Sequence, residues 1–168
     1  MASTYTTRLR VELQGNGENT TQWGTKANNV FRRFDDAIAG VASVSMPSDA
    51  SYSLTANNGS EDEARKAVLV VTSVSLTATR DIIIPAVSKL YLIKNSTTGS
   101  QSIRIKTSGG SGITIPNGKT MFVFCDGTDC YDAITNLPSG ATVGGGAVYA
   151  VGGTNVAVAD GGTGADDA

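Results

Sequence analysis

The sequence predicts a mainly β protein: an antiparallel β-sandwich or jelly-roll-like domain with one N-terminal amphipathic helix and a Gly-rich C-terminal extension. Three observations predict it. Short runs of alternating apolar and polar residues recur along the chain, separated by turn signals every 8–12 residues. Charge is sparse at 17% and glycine numbers 20, a profile of small residues and many turns. Only residues 25–39 repeat their apolar side chains at helical spacing. At 168 residues the chain is about one domain with tails, long enough to bury a core.

Residues 5–13 alternate, with Tyr5, Thr7, Leu9, Val11 and Leu13 on one side and Arg8, Arg10 and Glu12 on the other. Period two predicts one half-buried strand whose odd face needs a partner. A polar loop, Gln14–Thr21, follows. The helix expectation places Thr25 at the N-cap and Ala27, Val30, Phe31, Phe34, Ala37 and Ile38 in one apolar stripe, broad enough that it should be well covered. Gly40 sits where a helix C-terminus favours a positive φ. Trp23 is expected to pack over the helix start, with exposure for stacking as its alternative.

From Val41 onward the pattern is strands. Val44 and Met46 lead to Pro47, and Tyr52, Leu54 and Ala56 alternate with Ser51, Ser53 and Thr55. Ser60-x-x-Glu63 has the spacing of a capping box, predicting one or two helical turns over 60–66. Val68–Thr72, the alternating run through Val74, Leu76 and Ala78, and Ile82–Ile84 follow. Then come Leu90–Lys94, Ile103/Ile105, Ile113/Ile115, Met121–Cys125 and Tyr131–Thr135. A tight hairpin at Asp126–Asp129 would set Cys125 opposite Cys130. Two cysteines are too few for a disulfide framework, and reduced apolar residues are the reading taken, with a bond after release as the alternative. After Pro138 the chain turns to Gly, Ala, Val, Thr and Asp, with no Lys or Arg; it reads as a linker or as strands that find their partner on another chain.

The same composition narrows the function. Thirteen Lys+Arg face fifteen Asp+Glu, which argues against a nucleic-acid binder. Without histidine there is no Ser-His-Asp triad and no imidazole metal site. Asp126, Asp129 and Asp132 read as turn and edge residues, since a calcium loop wants more oxygen ligands. Asp35-Asp36 and Glu61-Asp62-Glu63 are adjacent rather than convergent, so no acid–base pair, catalytic residue, cofactor or metal site is assigned. No apolar run is long enough for a membrane span or a secretory leader; synthesis in a reducing cytoplasm is expected, with no membrane insertion.

Several stretches together resemble a known family. Ser3–Asn19, then Thr21-Gln22-Trp23-Gly24-Thr25-Lys26-Ala27-Asn28, then Asp36-Ala37-Ile38-Ala39-Gly40, resemble the N-terminal region of tailed-bacteriophage tail fibre and tail proteins. Leu54–Gly59, Ala64-Arg65 and Phe124–Thr128 continue the likeness. Val158–Ala165 resembles a glycine motif found where one fibre module hands over to the next. The resemblance implies a non-enzymatic structural protein of the virion tail, assembled in the host cytoplasm: a homotrimeric fibre or fibre anchor that supports host adsorption. Its implied partners are other tail or adaptor proteins, a further fibre protein at the C-terminus and a host surface glycan. The implied organisation is an attachment segment over 1–24, a helix plus β-sandwich over 25–138 and a trimerisation or connector tail over 139–168. Candidate attachment residues are Tyr5, Arg8, Leu9, Arg10, Val11, Leu13 and Trp23; candidate connector residues are Asp160, Gly161, Gly162, Thr163 and Gly164. Alternatives are a head fibre or capsid decoration protein, or a glycan-binding sandwich using Tyr52, Tyr91, Phe122, Phe124, Tyr131 and Tyr149. Deleting residues 1–20 is expected to abolish incorporation into particles while leaving the central domain folded.

Overall fold

A computed structural model describes residues 3–136, together with two short strands at Thr142–Val143 and Gly146–Ala147. Met1–Ala133 form one compact unit and Ile134–Ala168 a second. In the first, a small ladder of β1 (Thr4–Tyr5) and β2 (Glu12–Leu13) precedes helix α1 (Trp23–Ala39). Nine strands follow: β3 (Val41–Met46), β4 (Tyr52–Ser53), β5 (Val68–Ser73), β6 (Arg80–Ile84), β7 (Ser88–Asn95), β8 (Ile103–Thr107), β9 (Gly112–Ile115), β10 (Thr120–Asp126) and β11 (Cys130–Asp132). In the second unit β12 (Thr142–Val143) pairs antiparallel with β13 (Gly146–Ala147).

The mainly β expectation with one helix holds, but the strand directions correct the antiparallel expectation. The chain alternates between two sheets, ordered β11-β10-β7-β5-β3 and β4-β6-β8-β9. Along the first sheet β3, β5 and β7 run parallel, and along the second β4, β6 and β8 do the same. The chain therefore makes three successive turns of a wide coil. Parallel neighbours need a crossover, and here each strand in one sheet is the crossover for two in the other. Within these two sheets antiparallel pairing enters only with the last three strands: β9 on β8, β10 on β7 and β11 on β10. Period-two patterning predicts a strand and its buried face, but carries nothing about the direction of its neighbour.

The inward residues of both sheets make one core. Val44, Leu69, Val71, Ile93 and Val123 come from the first sheet, and Ile82, Ile103, Ile105 and Ile115 from the second, all fully buried. Leu76, expected on a strand, fills this core from the connection between β5 and β6. Residues 60–66 form no helix. The Glu63 carboxylate accepts from the Thr55 amide and from the Thr55 and Tyr52 hydroxyls instead of from a capping amide. Asp62 takes the capping role toward the Arg65 amide at 2.7 Å.

The N-terminal segment also departs from expectation. Residues 5–13 are not one strand. They turn back on themselves, with Thr4 opposite Leu13 and Tyr5 opposite Glu12. The Thr6 hydroxyl accepts from the Val11 amide, the Thr6 amide donates to the Val11 carbonyl, and Arg10 closes the turn at φ 52°. Without Gly or Pro at the bend, alternation alone conceals it.

Helix α1 shows the largest departure. It starts two residues before Thr25, behind a Gln22 N-cap that makes no side-chain capping bond. Trp23, its first residue, is 65% exposed rather than packed over the start. The expected covered stripe is only partly covered: Ala27, Val30 and Ala37 are half-buried, but its large residues Phe31, Phe34 and Ile38 are 67%, 42% and 78% exposed, while Arg33 is the helix residue that is buried. Gly40 is extended (φ −68°, ψ 142°), so a positive φ is not its reason for being glycine. The reason is space: a Cβ there would lie 2.5 Å from the Asp36 carbonyl oxygen and 2.6 Å from Lys66 Cδ. Gly40→Ala is expected to cost about 1–3 kcal/mol, because overpacking against backbone cannot relax by rotamer change alone. A urea-denaturation midpoint equal to that of the parent would contradict this.

Candidate functional site

Two features distinguish the surface and interior of the first unit: a buried cluster of charge that holds the N-terminal arm, and apolar faces that point outward.

The cluster centres on Asp62 and Arg65, whose side chains are wholly buried. Arg65 Nε donates to the Leu9 carbonyl at 2.7 Å, Nη1 to the Ser60 carbonyl at 2.6 Å and Nη2 to the Asn57 carbonyl at 2.8 Å. Its ion pair with Asp62 measures 3.0 Å. Asp62 accepts also from Arg10 Nη2, at 3.1 and 3.0 Å to its two oxygens, and from the Asn57 amide at 2.8 Å. One carboxylate thus serves two guanidinium groups, one from the arm and one from the loop before β5. Further hydrogen bonds offset part of the desolvation of these charges, although Arg10 Nε is buried without a partner. Gly59, at φ +69°, lies under the Tyr5 ring and its amide donates to the Arg10 carbonyl at 2.9 Å.

Lys89 adjoins this cluster. Its ammonium donates to the carbonyls of Lys66 (2.6 Å) and Ala64 (3.2 Å) and stands 3.9 Å above the Tyr91 ring. Burial lowers its pKa to about 7, and the positive charges of Arg10 and Arg65 push the same way. Burial also raises the Tyr91 hydroxyl, which donates to the Ala64 carbonyl at 2.9 Å. The Cys130 thiol is pushed up to about 12, by burial first and by the facing Cys125 second.

These shifts give a pH dependence. An unfolded lysine keeps its proton to about pH 10.4, whereas folded Lys89 releases it near 7. Between those values the unfolded chain binds more protons, so stability rises with pH there. Cys130 acts oppositely: its stabilisation is complete below the unfolded thiol value of about 8.5 and is lost as pH rises toward 12. Stability is therefore expected to rise by about 1.5 kcal/mol between pH 7 and 8.5 and then level off. Lys89→Met, which removes the ammonium, should flatten the rise in urea titrations followed by circular dichroism. An unchanged slope in that variant would refute the assignment to Lys89.

The polar side of α1 faces the domain. Lys26 pairs with Glu12 at 3.2 Å, Arg33 with Asp36 at 2.8 Å and with Glu61 at 3.4 Å, and Asp36 also takes Lys66. Held by these groups, the helix turns Phe31, Phe34 and Ile38 to solvent. A second outward apolar face lies on the five-stranded sheet. Leu90, Phe122, Phe124 and Tyr131 are each 42–53% exposed, with Phe124 opposite both Leu90 and Tyr131, and Phe122 opposite Leu92. Contiguous apolar surface of this kind marks a site of interaction.

The candidate attachment residues do not share one face. Val11 is 2% exposed, Arg10 is tied to Asp62, and Leu9 gives its carbonyl to Arg65. Arg8 donates to the Ser88 hydroxyl at 2.6 Å, while Leu13 and Trp23 are exposed. Tyr5 packs on Gly59. The connector candidates Asp160, Gly161, Gly162, Thr163 and Gly164 lie outside the described residues, as does Tyr149. Cys125 and Cys130 face each other across the β10–β11 hairpin, both buried as free thiols. Asp126 accepts from the amides of Thr128 (2.7 Å) and Asp129 (2.9 Å) and so serves its own turn, whereas Asp129 accepts from the Ser111 amide and ties the hairpin to the β8–β9 loop. Sequence reasoning missed Arg65 and Asp62, because adjacent acids and a lone arginine look like solvated charges until a distant arm supplies the second guanidinium. Among the described residues no helix is long and apolar enough to cross a membrane.

No family model, curated protein or solved structure matches this chain.

Proposed function

We propose that this protein is a non-enzymatic structural component of a bacteriophage virion, a homotrimeric tail fibre or fibre anchor that attaches to the tail and supports host adsorption. The observation that carries the proposal is the orientation of α1. A 17-residue helix bonded to its own domain by its charged side, with three large apolar residues in water, is unfavourable in an isolated chain. It becomes favourable when neighbouring chains cover the stripe. The motifs from Ser3 to Gly40 and at Val158–Ala165, by their resemblance to those of tail fibre proteins, supply the virion context. A cyclic trimer buries such a surface three times with one sequence. Attachment falls to the exposed members of the candidate attachment set, Arg8, Leu13 and Trp23. Other tail or adaptor proteins are the partners proposed there, and a further fibre protein at the C-terminal end.

A host-glycan reading draws on Phe122, Phe124 and Tyr131. Two of these are phenylalanines, and the Tyr131 hydroxyl is already directed to Asp126 at 3.2 Å, which favours an apolar partner over a sugar. Binding on a glycan array would reverse that preference. For the main proposal, native mass spectrometry of the full chain is expected to show trimers, and immunogold labelling of intact particles to decorate the tail. Monomers alone would end the trimer, and labels on the head would reassign the protein as a head fibre or capsid decoration protein.

A further inference from the structure

We infer that the apolar stripe of α1 in one chain seats on the outer face of the five-stranded sheet in a second copy, a head-to-tail contact that closes into a ring of three. This rests on the self-assembling reading above and goes beyond it by naming the two mating surfaces. Each chain carries both halves of the contact, and neither half is covered within the unit that bears it. The helix offers Phe31, Phe34 and Ile38, which span about 10 Å at 1.5 Å per residue. The sheet offers Leu90, Phe122 and Phe124, flanked by Tyr131. This patch lies between the register pairs Lys94–Thr120 and Ser88–Asp126, six residues apart, or about 20 Å. A ridged helix on a flat sheet is a standard way for two apolar surfaces to exclude water. The two are also matched in charge at one end. The helix has no acidic residue in its first turn and no basic residue in its last. The sheet patch carries the Asp126 carboxylate at one end, beside Arg8 and its Ser88 partner, and the exposed Lys94 at the other. A helix laid with its C-terminus toward Lys94 gains the cation its last turn lacks, while at the other end the Arg8 guanidinium offsets the Asp126 carboxylate. The contact joins unlike surfaces, so each copy gives one helix and receives one, and closure yields a cyclic oligomer.

Complementation between two full-length variants tests this. Phe31→Lys/Ile38→Lys spoils the helix and leaves the sheet. Phe122→Lys/Phe124→Lys spoils the sheet and leaves the helix. Each variant alone is expected to be monomeric in sedimentation and native mass spectrometry. An equimolar mixture is expected to yield a 1:1 heterodimer, formed from the intact helix of one and the intact sheet of the other. If the sheet variant alone remains trimeric, helices pair with helices and the inference fails. If the helix variant alone remains trimeric, or the mixture stays monomeric while the parent is a trimer, the inference also fails and the assembly reading survives. A parent that is monomeric at high concentration overturns both. Circular dichroism checks each variant's fold; where a Lys pair unfolds the domain, Ser replacements at the same positions carry the same expectations.

Discussion

Removing residues 1–20 is expected to abolish cooperative unfolding of the Met1–Ala133 unit, rather than to leave a folded core without its anchor. The sequence alone suggested a detachable segment, and the arm's bonds show why it is not one. Val11 is buried at 2% exposure, and burying such a side chain contributes about 1.5–3 kcal/mol. Arg10 pairs with Asp62, and the Leu9 carbonyl receives Arg65 Nε. Without the arm, Asp62 loses one of its two cations and Arg65 loses an acceptor inside the protein. Disrupting a buried charge pair costs about 3–5 kcal/mol by itself, against a total of about 5–15 kcal/mol for a domain. Circular dichroism of the truncated chain should show a lost or strongly lowered thermal transition. A truncated form melting within a few degrees of the full chain would refute this. The consequence is practical: failure of the truncated chain to enter particles would not demonstrate anchoring. Arg8→Ala, Leu13→Ser and Trp23→Ser change exposed or partly exposed side chains outside the Asp62 cluster, and incorporation of these variants is the cleaner measure of attachment.

Asp62→Ala is expected to destabilise the unit by about 3–5 kcal/mol, the range for stranding a buried charge. The cost does not come from the lost attraction alone. Two guanidinium groups and the backbone amides of Asn57 and Arg65 lose their common acceptor together. Lys89 is close enough for Asp62 to favour its charged form, so the loss also leaves three cations with less compensation. Because the penalty resides in the orphaned partners, the effects of Asp62→Ala and Arg10→Leu should not add. Once Asp62 is gone, removing Arg10 relieves a stranded cation, and a double-mutant cycle in urea should return a coupling of about 1–3 kcal/mol. Additive losses would mean that the arm and the loop are independent, contrary to the geometry.

Much of the fold was legible because burial in strands is local. Val44/Met46 and Ile103/Ile105 alternate with polar residues and line the core, whereas the unbroken apolar runs Val68–Val71 and Met121–Cys125 mark a strand without showing which side is inward. The Cys125–Cys130 register followed from the short glycine-bearing turn at Asp126–Asp129. The arm was harder to read. Its bend at Arg10 rests on a Thr6 hydroxyl and on a carboxylate 52 positions away, neither of which composition or period reveals. The candidate attachment set therefore mixed residues that hold the domain together with residues that face solvent.

The sequence by itself determined where the helix and most of the core strands form and which side chains are apolar on each, since periodicity is set by backbone geometry within a few residues. The tertiary structure alone decided two further matters. Strand direction came from the alternation of the chain between two sheets, which makes each strand a crossover and so permits parallel neighbours. The outward turn of α1 came from Glu12, Glu61 and Lys66, distant charges that pair with the helix's Lys26, Arg33 and Asp36. An apolar stripe states that something must cover it; the placement of charges elsewhere in the chain decides that its own domain does not.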